Sequence, residues 1–467
     1  MKKVILSAAA LMFGAVAFAQ TSTGNTGTSE QEGTDNKIRV RQVGETNNSD
    51  SDQDGTNNYG WVYQTGLNSA SDPGGMGNDA QLLQLGTDNK SYTLQDGDKN
   101  VAKTSQDGED NTAEIQQGVG YAVGNVASID QAGNDNDAIT RQFYDDNKAT
   151  TTQDGVSNYA DIEQNAAPND AGAPGGTDRN TATIDQFGNS NESFIRQNTV
   201  DNVLGGNFAT ATVEGTGNYS DQFQEGQENN ATVNQGNETT LANGALTPPS
   251  AWTSLASNTV TSPLLNSNGA GSVNAKAFQM QDGTNNEAEV HQFGSGSEDG
   301  DISIQSQEGS DNQSFVYQNN DGNMNGDGNY SNVTQDGTGN LQVGIQWGKN
   351  NEAFHNQNGA GNNSQAFQRW NGNYVDVDQN GSGNQADVTQ FGIDGTVVIT
   401  QLGDDNSFYA EQSVQNPGAG VGNMVDVLQQ GYGGTAVQDC DYLSADVPST
   451  RTPQNMRSDT DICPDCN

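Results

Sequence analysis

Cysteine, histidine, proline and basic residues are all scarce in this sequence, and each shortage closes off a class of function. Of 467 residues, two are histidine, three cysteine, ten proline and 17 Lys or Arg, against 60 Asp and Glu, for a formal net charge of −43. That excess repels nucleic acid and acidic membrane surfaces, so neither is expected as a partner. Hydrophobic residues make up only 31%, too little for a conventional globular core to offset chain entropy. Two readings remain: disorder, or a fold whose polar groups are satisfied by a dense hydrogen-bond ladder.

Long hydrophobic runs are missing too, with one exception. Lys2 and Lys3 precede an apolar stretch over residues 4–18 that is too short to span a membrane, and Ala17-Phe18-Ala19 fits the small-x-small rule of signal peptidase. A signal peptide over 1–19 is expected, with export and a mature chain from Gln20. Losing Lys2 and Lys3 takes the charge from −43 to −45. No transmembrane segment is expected after it.

What is present is a repeat. Gln335, Gln346, Gln357, Gln368, Gln379, Gln390, Gln401 and Gln412 follow one another at eleven residues without a slip. The same step links Gln84, Gln95, Gln106 and Gln117, and Gln131, Gln142, Gln153 and Gln164; with Val213 in a Gln place the chain holds 30 such half-units, the last anchored at Gln429. Each reads Q-x-G-x-x-N-x-A-x-V-x, as in Gln106, Gly108, Asn111, Ala113 and Ile115. Asn, the small residue, the aliphatic residue and Gln alternate with polar positions, so they line one face of a strand with period two. Glycine fills its slot in 22 of the 30, as a tight turn requires.

The expected fold is therefore all-β: a β-solenoid of about fifteen 22-residue coils, each strand-turn-strand, with amyloid-like cross-β stacking about 70 Å tall at about 4.8 Å per coil. Buried amides then stack into ladders. The candidate ladder residues are Gln95, Asn100, Gln106, Asn111, Gln153, Asn158, Gln335, Asn340, Gln346, Asn351, Gln379 and Asn384. The candidate turn glycines are Gly97, Gly108, Gly155, Gly337, Gly348 and Gly381. Proline agrees, because a ladder strand cannot spare its N–H. All ten fall between half-units or in the tail. Insertions follow even-numbered anchors before a long linker and odd-numbered ones after it, which points to two stacked blocks, 31–236 and 275–436, joined by a Pro-containing linker 237–274. The parity change would vanish if the linker concealed or omitted a half-unit.

The unit resembles the curlin repeat of curli fibre subunits. Gln95-Asp96-Gly97-Asp98-Lys99-Asn100-Val101-Ala102-Lys103-Thr104-Ser105-Gln106 matches that repeat at every fixed position, as does Gln153 to Gln164, and the pattern covers roughly residues 31–431. The resemblance implies a secreted functional amyloid that polymerises with itself at the cell surface as biofilm matrix. Its implied partners are curli-type secretion and nucleation proteins, with the Gln and Asn ladder driving assembly. It also makes 20–30 the counterpart of a secretion-targeting segment. About fifteen full repeats, where the family usually has about five to seven, and a Cys-containing tail over 437–467 depart from the pattern. They leave the major or minor subunit role open. A rival reading is a monomeric, capped solenoid acting as a surface adhesin or ligand-binding rod; ice binding ranks last because the threonines are scattered over outward positions.

Little catalytic chemistry is on offer, and no enzyme, cofactor or metal is expected. His291 and His355 are assigned to outward-facing or turn-proximal positions, with no geometry converging on them. Cys463-Pro464-Asp465-Cys466 is a weak C-x-x-C signal, and in an exported chain a disulfide between Cys463 and Cys466 is favoured over a metal or redox pair. Residues 321–326 start like a calcium loop, but Asn332 stands where the bidentate Glu belongs. The Q-D-G turns at Asp54, Asp96, Asp107, Asp154, Asp282 and Asp336 read as a solvated acidic edge ahead of weak Ca²⁺ columns. Trp347 and Trp370 read as stacking between coils ahead of glycan or dye binding.

Overall fold

The computed structural model describes residues 18–19, 24–66, 77–166, 180–199, 205–236, 272–293, 300–319, 328–414, 424–430 and 435–442. Within them the chain alternates between two parallel sheets, one half-unit to each. Sheet I holds sixteen strands, from Phe18–Ala19 and Lys37–Val43 to Met424–Gln430; sheet II runs from Thr26–Thr34 to Thr435–Tyr442. Every pairing is parallel and, between coils, joins like residues: Gln106 opposes Gln131, Gln131 opposes Gln153, and Gln153 opposes Gln186. This is the expected β-solenoid.

The alternation follows from side-chain chemistry. In the strand Val101–Glu109, Ala102, Thr104 and Gln106 face inward, while Val101, Lys103 and Ser105 face out. Alanine lets the two sheets approach, and Ile115, Ile129, Ile162 and Ile184 fill the space between them at full burial. The core is therefore a thin apolar seam flanked by amides. None of the ten prolines lies among the described residues.

The arcs explain the glycine slot. Gly108 has φ +132° and Gly155 has φ +138°, and a Cβ on either would lie 2.0 and 1.8 Å from the carbonyl oxygen of the glycine one coil on, Gly133 and Gly188. Both conformation and backbone approach exclude a side chain there. Gly97, Gly337, Gly348 and Gly381 meet the same crowding. The chain then passes through a second positive-φ residue, Asp110 (φ 57°) or Ser157 (φ 58°), before the next Asn.

Insertions loop out and the pairing resumes beyond them; after Gln117 the register shifts locally, with Gly97 opposite Ala122. Gln224 pairs directly with Gln281, and Gln235 with Gln292, so the solenoid is continuous across the linker. No half-unit is hidden or lost: the short strand Ser272–Val273 sits on Gly215–Thr216 and resumes the arc left at Gly236. Insertions before the linker follow sheet I strands, whereas the linker and those after it follow sheet II strands; the change of edge is genuine. At the far end, Thr435–Tyr442 continues sheet II and puts Cys440 opposite Gln412, so the ladder runs six residues into the segment read as a tail.

Candidate functional site: the amide columns and the coil ends

Four columns of buried amides run along the stack. In sheet I the glutamine column is unbroken over the described coils, from Gln42 through Gln64, Gln95 and Gln117 to Gln335, Gln357, Gln379, Gln401 and Gln429. Each Nε2 donates to the Oε1 of the next at 2.7–2.9 Å. The sheet II column contains Gln106, Gln153 and Gln346 and breaks at Val213. There Gln186 turns its amide to Asn191 and Ser193, and the Gln235 Oε1 is left buried without a donor.

The asparagine columns run the other way. Asn111 donates both its backbone N–H and its Nδ2 to the Oδ1 of Asn89 in the preceding coil, each at 3.1 Å. Asn100, Asn158, Asn340, Asn351 and Asn384 repeat the arrangement. Backbone carbonyls fix both directions, because they only accept. The Gln106 Nε2 also meets Lys90 O and Asn111 O, each at 3.0 Å, and the Asn111 Nδ2 meets Gly133 O at 2.7 Å. Opposed columns let side-chain dipoles cancel, and every coil keeps a donor side and an acceptor side.

Two positions depart from the columns. Asp301 occupies an asparagine place, above Ala275 and below Asn329, whose N–H and Nδ2 donate to it at 2.7 and 3.0 Å. Burial pushes its carboxyl up to about 7 despite those bonds. His355 occupies the aliphatic place between Ala353 and Gln357 and is 2% exposed, which corrects the outward or turn-proximal assignment. Counting back two residues from Gln357 finds the inward slot, so the signal was present in the register. Its Nδ1 contacts the Ser364 hydroxyl at 2.5 Å, its Nε2 has no partner, and burial drives the imidazole down to about 3. His291 does sit at an outward position, yet it too is buried, between Phe293 and Tyr317.

The acidic turns divide. Asp54, Asp107 and Asp154 alternate along sheet II with Leu85, Ala132 and Phe187, so they form no carboxylate column. Asp282 and Asp336 do stack with Glu225 and Glu308 in sheet I. Aromatics stack between coils: Tyr159, Phe194, Tyr219 and Phe278 form a run of rings 5.3–5.6 Å apart on the outer face of sheet I. Arg369 lies 5.0 Å over Trp347, and Trp370 fills a glycine slot at φ 81°. Cys463, Cys466 and residues 321–326 lie outside the described residues, and among those described no helix is long and apolar enough to cross a membrane.

At the first coil, Gln31 and Gln42 head the glutamine columns with their acceptor ends, and the strand Thr26–Thr34 is exposed along nearly its whole length. At the last, Met424–Gln430 and Thr435–Tyr442 each pair on one side only among the described residues. A family model, the curlin associated repeat, matches residues 371–413, which include the strands Tyr374–Ser382, Gln385–Phe391 and Thr396–Leu402. Residues 371–413 are thus a curlin associated repeat. No curated protein matches the chain. The half-unit within that match recurs in the same register along both sheets.

Proposed function

We propose that this protein is a secreted, non-enzymatic structural subunit that assembles end to end into curli-like amyloid fibres at the cell surface, contributing to biofilm matrix and adhesion. The observation that supports the reading is the polarity of the amide columns at the outermost described coils, where the strand Thr26–Thr34 pairs on one side only among the described residues. A donor-ended glutamine column at Gln429 fits the acceptor-ended column at Gln42 of a second copy, while the asparagine columns match in the opposite sense. Docking of that kind extends both sheets by edge pairing, the usual liability of an uncovered strand. Polarity makes the contact head-to-tail, so it does not close and generates a filament. Curli-type secretion and nucleation proteins are the natural partners of such a subunit.

The capped-rod alternative draws support from Cys440, which stands in the glutamine register at the last strand and ends that column. Seeded kinetics separate the two. Purified chain should show thioflavin T growth after a lag, and preformed seeds should abolish the lag. Persistently monomeric protein with strong β-type circular dichroism, indifferent to seeds, would favour the capped rod.

A further inference from the structure

On the outer face of sheet I the rings from Tyr159 to Phe278 close against one another in single file, tilted by 38–41°. The early coils are built differently. Three neighbouring strands, Tyr59–Thr65, Lys90–Asp98 and Thr112–Val123, place Trp61, Tyr92 and Glu114 in one outward column and Tyr63, Leu94 and Gln116 in the next. Trp61 meets Tyr92 edge to face, with centroids 6.4 Å apart and ring planes at 87°. Perpendicular rings do not close flat on each other, and a cleft of about 190 Å³ stays open between the two columns, lined by all six side chains. Trp61 is 39% exposed and the other five are half-buried. Glu114 and Gln116 bring a carboxylate and an amide to one end of the cleft, neither engaged in a hydrogen bond or ion pair among the described residues.

We propose that this cleft binds one ring of a neutral hexopyranose glycan. Its volume is below the roughly 300 Å³ at which drug-sized pockets begin and suits a single saturated ring. One face of a pyranose is a set of weakly positive C–H bonds, which settle on the negative ring faces of Trp61 and Tyr92. The ring's hydroxyls then reach the rim, where the Glu114 carboxylate accepts from adjacent hydroxyls and the Gln116 amide both donates and accepts. Charge excludes the competing ligands. Arg41 lies 5.1 Å over the Tyr63 ring and Arg39 stands opposite Trp61 in the neighbouring strand, so a quaternary ammonium would meet cations at the aromatic wall. An acidic sugar would bring its carboxylate to Glu114, beside Asp137, whose own carboxyl is already raised by burial and by Glu114. A purely apolar ligand would desolvate Glu114 and give it no partner. The cleft lies on the flank of one copy, away from the coil ends, so it stands or falls separately from fibre growth. Held to one ring, the contact is weak; a glycan chain crossing several copies gains by multivalency.

The test is isothermal titration calorimetry of the unassembled full chain with cellohexaose, laminarihexaose and mannohexaose, each a neutral hexopyranose oligomer, beside trigalacturonic acid and tetramethylammonium. Saturable binding of at least one neutral hexaose is expected, tighter than that of either charged probe. Trp61→Ala should weaken it at least about tenfold and the isosteric Glu114→Gln about fivefold. Trp370→Gly, which removes another exposed tryptophan on sheet II, should leave it unchanged. Circular dichroism selects the variants that keep the parent β-spectrum, and Glu114→Gln decides alone if Trp61→Ala does not fold. No saturable binding of any neutral hexaose, tighter binding of trigalacturonic acid or tetramethylammonium, or affinity indifferent to the substitutions at Trp61 and Glu114 would overturn the site.

Discussion

Val213 interrupts the sheet II glutamine column, and its replacement measures what one rung contributes. Val213→Gln should join Gln186 to Gln235 and stabilise the chain by about 1 kcal/mol, the net worth of a hydrogen bond in a setting that already has an orphaned acceptor. The check is a higher thermal midpoint. Gln379→Ala in the unbroken column does the reverse, stripping Gln357 of its acceptor and Gln401 of its donor. A loss of about 2–4 kcal/mol is expected, seen as faster hydrogen exchange in the flanking coils. Asp301 and His355 give the residue scale a pH dependence of two signs. The Asp301 carboxyl is raised, so its contribution is fully present below pH 4 and is lost as pH rises through about 7. The His355 imidazole is depressed, so the unfolded chain binds its proton first and stability is lost as pH falls from about 6.5 toward 3. Asp301→Asn should therefore stabilise most at pH 7 and above, and His355→Val most near pH 4, each read as a thermal midpoint against pH.

At the scale of the half-unit, the arc is the element that tolerates least. Gly155→Ala puts a methyl 1.8 Å from the Gly188 carbonyl oxygen, whereas at Gly339 a Cβ finds nothing within 4 Å and only φ +66° opposes it. Gly155→Ala should unfold or splay its coil, while Gly339→Ala should cost about 1–2 kcal/mol, the strain of a left-handed residue; circular dichroism and urea midpoints distinguish them. Much of this element is legible in the sequence. The eleven-residue spacing places Gln106, Asn111 and Ala113 on one face, and glycine at 108 marks the turn, because period and turn chemistry are local properties. The column directions are not legible, since they depend on which carbonyls the Gln106 and Asn111 amides meet across the coil. Nor is the burial of the outward-facing Val343 and Phe367, since alternation separates core-facing from outward positions and is silent about how wet an outward one stays. The strand Thr435–Tyr442 is missed because its anchor is cysteine, so the pattern stops where the ladder does not.

For the whole molecule, charge and edge pairing pull in opposite directions. A net charge of −43 opposes stacking one copy on another. Burial raises the carboxyls of Asp137, Glu287, Asp376 and Asp301, so their protonation in mild acid favours the folded coil while it discharges the surface. Assembly should accordingly be faster near pH 4 than near pH 7 and accelerate with salt at neutral pH, as thioflavin T growth rates will show. The central claim is that a fibre of this protein is the same ladder continued from copy to copy. Diffraction from aligned fibres tests it most directly. The account predicts a meridional reflection near 4.8 Å and an equatorial one near 10 Å. Fibres whose 4.8 Å reflection lies on the equator, with strands running along the axis, would contradict it.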